Sequence, residues 1–317
     1  LIISCFTLII LITNPVLAQF DTNSFIDSES GIELKPMYPR PGEEVIATLN
    51  DYNGASFGSD ITWFLDGDVI SETKNQRQVV FVAGQSGVSQ KIQAVLTKDG
   101  GSRQVLANIF TPLYLDLVVE AQTHVPDFYI GRALPSIGST VNVTALVDGD
   151  IEVSDLIFTW RINRVVIEGG SLRGRNKVSY TTPRGSNSTL SLEITNLGGR
   201  ALANRAILVP SVEPTILFYE VSSLFGTKNK AVKKSLPLIG QSIMVRAEPY
   251  NLDSNVYNNP SISEWSVDRE NVKNTNQNPY DITIQRALES GVASLNFHVR
   301  DTQQVLQGAE ASIQINL

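Results

Sequence analysis

Apolar and polar residues alternate along most of this chain. Val45-Ile46-Ala47-Thr48-Leu49, Val79-Val80-Phe81-Val82 and Lys91-Ile92-Gln93-Ala94-Val95-Leu96-Thr97 are short runs rich in β-branched residues, and several place an apolar side chain at every second position. Turn-forming pairs cut the runs at Asp66-Gly67, Asp99-Gly100-Gly101, Asp148-Gly149 and Gly198-Gly199. No stretch shows an amphipathic helical period. Many short strands between frequent turns predict an all-β chain of sandwiches or barrels.

Internal repetition sets the number of sandwiches. Leu134-Pro135-Ser136-Ile137-Gly138-Ser139 returns as Leu236-Pro237-Leu238-Ile239-Gly240-Gln241, and Arg40-Pro41-Gly42-Glu43 stands in the same place nearer the N-terminus. A tryptophan followed by any residue, an aliphatic one and Asp or Asn occurs three times, at Trp63, Trp160 and Trp265. A Pro-led opening strand occurs at Leu113–Val118 and at Thr215–Glu220. The spacing of about 100 residues is that of one immunoglobulin-like sandwich. The fold expected is therefore three tandem Ig-like β-sandwich domains, over residues 29–111, 112–212 and 213–317. Trp63, Trp160 and Trp265 are expected on the third strand of each, filling its core, with the Asp or Asn beginning the next turn. The last apolar alternation, Ala311–Leu317, reads as a final strand.

Leu1–Ile12 is apolar apart from Ser4, Cys5 and Thr7; Asn14-Pro15 then breaks it, and Val16-Leu17-Ala18 precedes Gln19. This predicts a partial signal peptide over 1–18 and a linker over 19–28. An uncleaved N-terminal anchor is the rival, and only in that case does the chain touch a membrane. Cys5 is the single cysteine, so no disulfide is expected to brace the sandwiches.

Composition narrows the function classes. Of 317 residues 42% are hydrophobic, enough for real cores, and the formal charge of −7 argues against a nucleic-acid partner. His124 and His298 are the only histidines, and the chain holds no Gly-x-Ser-x-Gly, His-Glu-x-x-His or Walker loop. No enzyme, cofactor or metal is expected. Asp66-Gly67-Asp68 and Asp148-Gly149-Asp150 read as turns, because calcium takes six to eight oxygens. Lys228, Lys230, Lys233 and Lys234 read as a solvated loop, with an acidic polymer or lipid head groups as the rival partner. The sequons at Asn142 and Asn187 matter only in a glycosylating host.

The loops ahead of the two Leu-Pro phrases carry aromatics beside glycine and a basic residue: Val125–Arg132, with Phe128, Tyr129 and Arg132, and Leu224–Lys228, with Phe225 and Lys228. The first unit runs straight through as Met37-Tyr38-Pro39-Arg40-Pro41-Gly42. The expectation is that Phe128, Tyr129 and Phe225 pack against the preceding sandwich and stiffen a rod. A carbohydrate-stacking platform is the rival.

The runs Leu117–Ala121, Val125–Pro135 and Pro214–Glu220 resemble exported multi-Ig or PKD-like proteins of candidate-phyla (Parcubacteria-type) bacteria. That resemblance implies an exported surface protein and no functional residues. The function expected is a cell-surface structural or interaction protein mediating protein–protein contact or adhesion, in the cell envelope or outside it, with glycan binding as the alternative.

Overall fold

The structure is a computed structural model that describes residues 31–51, 54, 56–74, 76–222, 224–286 and 290–317. The predicted signal peptide and linker lie outside the described residues. The described chain is all-β, three tandem Ig-like sandwiches, with one short α-helix and a turn of 3-10 helix at Val153–Asp155. The first repeat holds β1 (Gly31–Lys35), β2 (Glu44–Asn50), β3 (Asp60–Leu65), β4 (Asp68–Lys74), β5 (Gln78–Val82), β6 (Gln90–Thr97) and β7 (Arg103–Phe110). The second holds β8 (Tyr114–Ala121), β9 (Thr140–Asp148), β10 (Leu156–Ile162), β11 (Val165–Arg173), β12 (Lys177–Thr181), β13 (Asn187–Asn196) and β14 (Ala201–Pro210). The third holds β15 (Thr215–Ser222), β16 (Gly226–Val232), β17 (Ser235–Pro237), β18 (Ser242–Tyr250), α1 (Ser254–Asn258), β19 (Ile262–Val267), β20 (Glu270–Val272), β21 (Asp281–Gln285), β22 (Val292–Arg300) and β23 (Gly308–Asn316).

Each repeat builds two sheets on one plan. The orders are β1-β2-β5 with β4-β3-β6-β7, then β12-β9-β8 with β11-β10-β13-β14, then β16-β15-β18-β21 with β17-β23-β22-β19-β20. In all three the strand that follows the tryptophan strand lies beside it (β4 by β3, β11 by β10, β20 by β19), unlike the constant-type immunoglobulin order, where the fourth strand joins the opposite sheet. The third repeat departs from the plan through β16 and β17, which form in a loop that in the second repeat, at nearly the same length, carries no strand. The lysine cluster expected in a loop is accordingly carried in part by a strand, with Lys228 and Lys230 on β16.

The described chain also divides into two compact units. The smaller comprises the described residues among 1–33, 47–79 and 91–108, and holds Trp63. The larger comprises 34–46, 80–90 and 109–317, and so contains the whole of the second and third sandwiches. Their cores are separate clusters, one around Phe158, Trp160 and Leu192, the other around Phe218, Trp265 and Phe297.

The three tryptophans are fully buried and sit on β3, β10 and β19. Burial of an indole is costly unless its N–H finds an acceptor. Trp63 donates to the carbonyl of Gln76 (3.1 Å), Trp160 to that of Arg175 (3.0 Å) and Trp265 to that of Pro279 (2.9 Å). Each ring thus fills a core and ties down the chain ahead of the fifth core strand.

The Asp or Asn three residues on has an equally definite task. Asp66-Gly67, Asn163-Arg164 and Asp268-Arg269 all have positive φ at both positions, from 49° to 101°. That is the backbone of a two-residue type I′ hairpin, which matches the twist of its strands. The side-chain oxygens of Asp66, Asn163 and Asp268 accept the N–H of Lys91, Thr189 and Ser294, while their own N–H groups donate to the carbonyls of the same three residues. Only a short side chain with an oxygen three bonds from Cα both tolerates the left-handed backbone and reaches that amide.

Two stability outcomes follow for urea unfolding of the full chain. Trp160→Ala is expected to cost about 3–5 kcal/mol, since no disulfide shares the core. Asn163→Ala is expected to cost about 1–2 kcal/mol, through the lost acceptor and the left-handed backbone; a variant within 0.3 kcal/mol of the parent contradicts this role of the turn residue.

Candidate functional site

The most elaborate chemistry lies where the second sandwich meets the third, all within the larger compact unit. Two insertions meet there. One is the loop from Gln122 to Ser139, between β8 and β9; the other is the segment from Asn251 to Ser261, between β18 and β19, which holds α1. The first loop leaves β8 still paired, Gln122 donating to the Thr140 carbonyl. His124 then exchanges backbone bonds with the third sandwich: its N–H donates to the Leu252 carbonyl and its own carbonyl accepts from Asn251, both at 2.7 Å. Ser254 donates to the carbonyl of Gln122 (3.0 Å), and Thr123 bridges Asp253. An isolated antiparallel bridge, Thr123 opposite Asp253, therefore joins the sandwiches with the bonding of paired strands.

Side chains complete the joint. Asp253 is 1% exposed. One of its oxygens caps α1 by accepting from Asn255 (2.9 Å), and the other accepts the Thr140 N–H of the second sandwich (3.2 Å). Gln307 is fully buried. Its amide donates to Ser136 Oγ (3.0 Å) and to the Ile137 carbonyl (2.7 Å), and its oxygen accepts from the Asp253 N–H (2.9 Å). The Asn251 side chain accepts from Leu134 (3.0 Å). Asn251 has φ of 59°, a left-handed value that asparagine tolerates better than most residues.

His124 and Glu248 pair across the joint. His124 Nε2 lies 2.5 Å from Glu248 Oε1, and the Glu248 side chain is only 4% exposed. The imidazole stacks on Tyr257, with ring centroids 3.4 Å apart and planes within 5°, and Tyr257 stacks in turn on Tyr280 at 4.6 Å. Tyr280 donates its hydroxyl to the Tyr257 carbonyl (2.7 Å). Burial pushes the Tyr257 phenol up to about 12, helped by the Glu248 carboxylate. Burial also raises Tyr280 and Tyr250, the latter with help from its hydrogen bond to Tyr219.

Phe128 and Tyr129 belong to this joint, on the side opposite to the one expected. Phe128 meets Tyr219 edge-on at 5.3 Å, and Tyr129 meets Tyr250 edge-on at 5.5 Å. The hydroxyls of Tyr219 and Tyr250 are 2.6 Å apart and buried. The expectation that these rings pack onto the preceding sandwich is corrected: they pack onto the following one. The reason is topological, since the loop after β8 lies at the end of the second sandwich where the chain departs for the third. Phe225 does not pack as expected either, its side chain being 87% exposed. Arg132 is exposed, and Lys228 pairs with Glu220 of its own sandwich at 2.7 Å.

The first repeat reaches the second by other residues of the same compact unit. Arg40 donates to the Leu115 carbonyl (3.3 Å) and lies over the Tyr114 ring. Ser86 takes the Asp150 N–H (3.2 Å) on its carbonyl and donates its hydroxyl to the carbonyl of Asp148. Asp148-Gly149-Asp150 is thus part of a backbone contact. His298 lies on β22 opposite Glu264 and Glu310, at an intermediate exposure.

Sequence reading missed Glu248, Asp253, Tyr257 and Gln307. The visible signal was an acid in Ala247-Glu248-Pro249-Tyr250, at the end of a core strand, followed by the helix-capping run Asp253-Ser254-Asn255.

No protein-family model matches the chain, and no curated protein matches it. Among solved structures it is similar to the central fibronectin-III array of RIM-binding protein (TM-score 0.30, 11% identity, covering 91% of this chain and 96% of that one). It is also similar to the fibronectin(III)-like modules of Clostridium thermocellum CbhA (0.28, 14%, 58% and 92%) and to three N-terminal domains of the bacteriophage RB49 outer capsid protein Hoc (0.27, 11%, 90% and 97%). At such identities and TM-scores the likeness carries nothing about ligand or role.

Removing one partner of a buried pair strands the other. His124→Ala is expected to destabilise the third sandwich by about 1–3 kcal/mol, although His124 lies in the second. His124→Ala with Glu248→Leu recovers part of that loss in urea titrations; no recovery rules out a stranded carboxylate as the cause. Alkali provides a second check. Tyr257 titrates near 10 unfolded and about 12 folded, so its contribution is whole below pH 10 and is lost as pH rises through 12. Thermal melts are expected to fall over that window, in step with tyrosinate absorbance.

Proposed function

We propose that this chain is a non-enzymatic, exported structural and interaction protein of the cell surface, whose second and third sandwiches act as one stiff piece presenting their surfaces to a partner. The observation that supports this reading is the joint itself. Its backbone bridge, its His124–Glu248 pair and its buried Gln307 are made between sandwiches, and each loses hydrogen-bond partners if the two are parted. Interfaces between domains of one chain are ordinarily loose enough to permit relative motion. A joint sealed by buried polar bonds is the device of a spacer that must hold its orientation.

The rival, glycan stacking on loop aromatics, is disfavoured at Phe128 and Tyr129 by their edge contacts with Tyr219 and Tyr250. The exported location rests on the apolar N-terminal run Leu1–Ile12, read as a signal peptide.

Two measurements test the reading. Spin labels at Ser179→Cys and Ser312→Cys in a Cys5→Ser background are expected to give one narrow distance distribution in the full chain; a broad one refutes the stiff joint. Fractionation of cells producing the tagged protein is expected to recover it outside the cytoplasm, and cytoplasmic recovery refutes the surface role.

A further inference from the structure

The loop that forms the joint in the second sandwich has a counterpart in the third, and the two have diverged in a telling way. Ser136-Ile137-Gly138 corresponds to Leu238-Ile239-Gly240. In the second sandwich Ser136 bonds the amide of Gln307, and Ile137 is partly covered. In the third, the hydroxyl has become Leu238, which is 2% exposed and part of the core, so this position no longer offers the hydroxyl that Gln307 takes from Ser136. Ile239 is 84% exposed. The preceding insertion has become the hairpin of β15 and β16, and its turn presents Leu224 at 84% and Phe225 at 87% exposure.

These three apolar side chains share one end of the sandwich. Gly226 pairs with Ser222 at the tip of the hairpin, and Val221 pairs with Met244 near the start of β18, just after Ile239-Gly240-Gln241. Behind this tip come the lysines. Ala231 pairs with Tyr219, three residues back from Ser222, which sets neighbouring Lys230 roughly 10 Å behind the tip at about 3.3 Å per strand residue. Lys233 and Lys234 follow, exposed. Segment 224–241 contains four lysines and no acid, in a chain whose formal charge is −7. Lys228 is neutralised by Glu220, while Lys230, Lys233 and Lys234 remain exposed on that side.

From this we infer that the tip formed by Leu224, Phe225 and Ile239, with Lys230, Lys233 and Lys234 behind it, docks on the surface of an anionic phospholipid bilayer. Large apolar side chains at a protruding tip enter the head-group boundary, which interfacial segments penetrate to about 5–10 Å. Lysines set back by about that depth lie level with the anionic head groups and add a salt-sensitive attraction. A further sandwich seated as the third sits on the second is the weaker occupant, because Leu238 has replaced the hydroxyl that anchors Gln307.

The test uses the full chain and vesicles of phosphatidylcholine, with or without 30% phosphatidylglycerol. Co-sedimentation is expected with the anionic vesicles at least ten-fold stronger than with the neutral ones, and lost in 0.5 M salt. Leu224→Ser with Phe225→Ser, and separately Lys230→Gln with Lys233→Gln and Lys234→Gln, are each expected to abolish it, while circular dichroism stays that of the parent. Phe225→Trp provides a second readout: its emission is expected to shift to the blue on anionic vesicles only. Three results overturn the inference: no binding to either vesicle, equal binding to both, or self-association in sedimentation velocity that the tip variants abolish without any vesicle binding. Any of them leaves the stiff joint between the second and third sandwiches untouched, since no residue of the tip belongs to it.

Discussion

A buried polar group must keep its partner, and in this chain that requirement fixes one sandwich against the next. Glu248, Asp253 and Gln307 belong to the third sandwich, yet their bonding is completed by His124, Thr140, Ser136 and Ile137 of the second. Apolar packing alone tolerates sliding, because its energy changes slowly with position. Hydrogen bonds to buried carboxylates and amides do not, because they hold only over a narrow range of distance and angle. The stacked rings of His124, Tyr257 and Tyr280 and the edge contacts of Phe128 and Tyr129 then fill the space around a geometry that the polar groups have already set.

The same requirement works inside each sandwich. A core without a disulfide depends on a large side chain, and the largest one carries an N–H. The indoles of Trp63, Trp160 and Trp265 solve both needs at once by reaching carbonyls 13 to 15 residues away. The hairpin residue that follows does likewise, closing its turn and accepting the amide of a strand that starts some twenty-five residues later. Repetition of both devices explains why the tryptophan and its Asp or Asn travel together in the sequence.

Equivalent loops have taken different roles because they face different neighbours. The loop after β8 faces the third sandwich and is rich in groups that bond across a joint. Its counterpart after β15 folds back into a strand, turns one contact residue into core and exposes the next. Lysines on this hairpin also discourage pairing at the open edge of its sheet, a common means of keeping edge strands apart.

The sequence by itself determined the all-β fold, the three repeats, the place of each tryptophan and the turn at its Asp or Asn. These are local or periodic properties, set by alternation and by what a left-handed residue tolerates. It also marked the loop with Phe128 and Tyr129 as unusual, because an insertion is visible as a break in a repeat. Tertiary structure alone decided which neighbour those rings meet, and that His124 stands against Glu248, 124 residues away. Alternation places a side chain on one face of a strand but does not say which end of a sandwich a loop reaches. That depends on strand direction and on where the chain crosses to the next domain, and so do the partners of Gln307 and the open tip at Phe225.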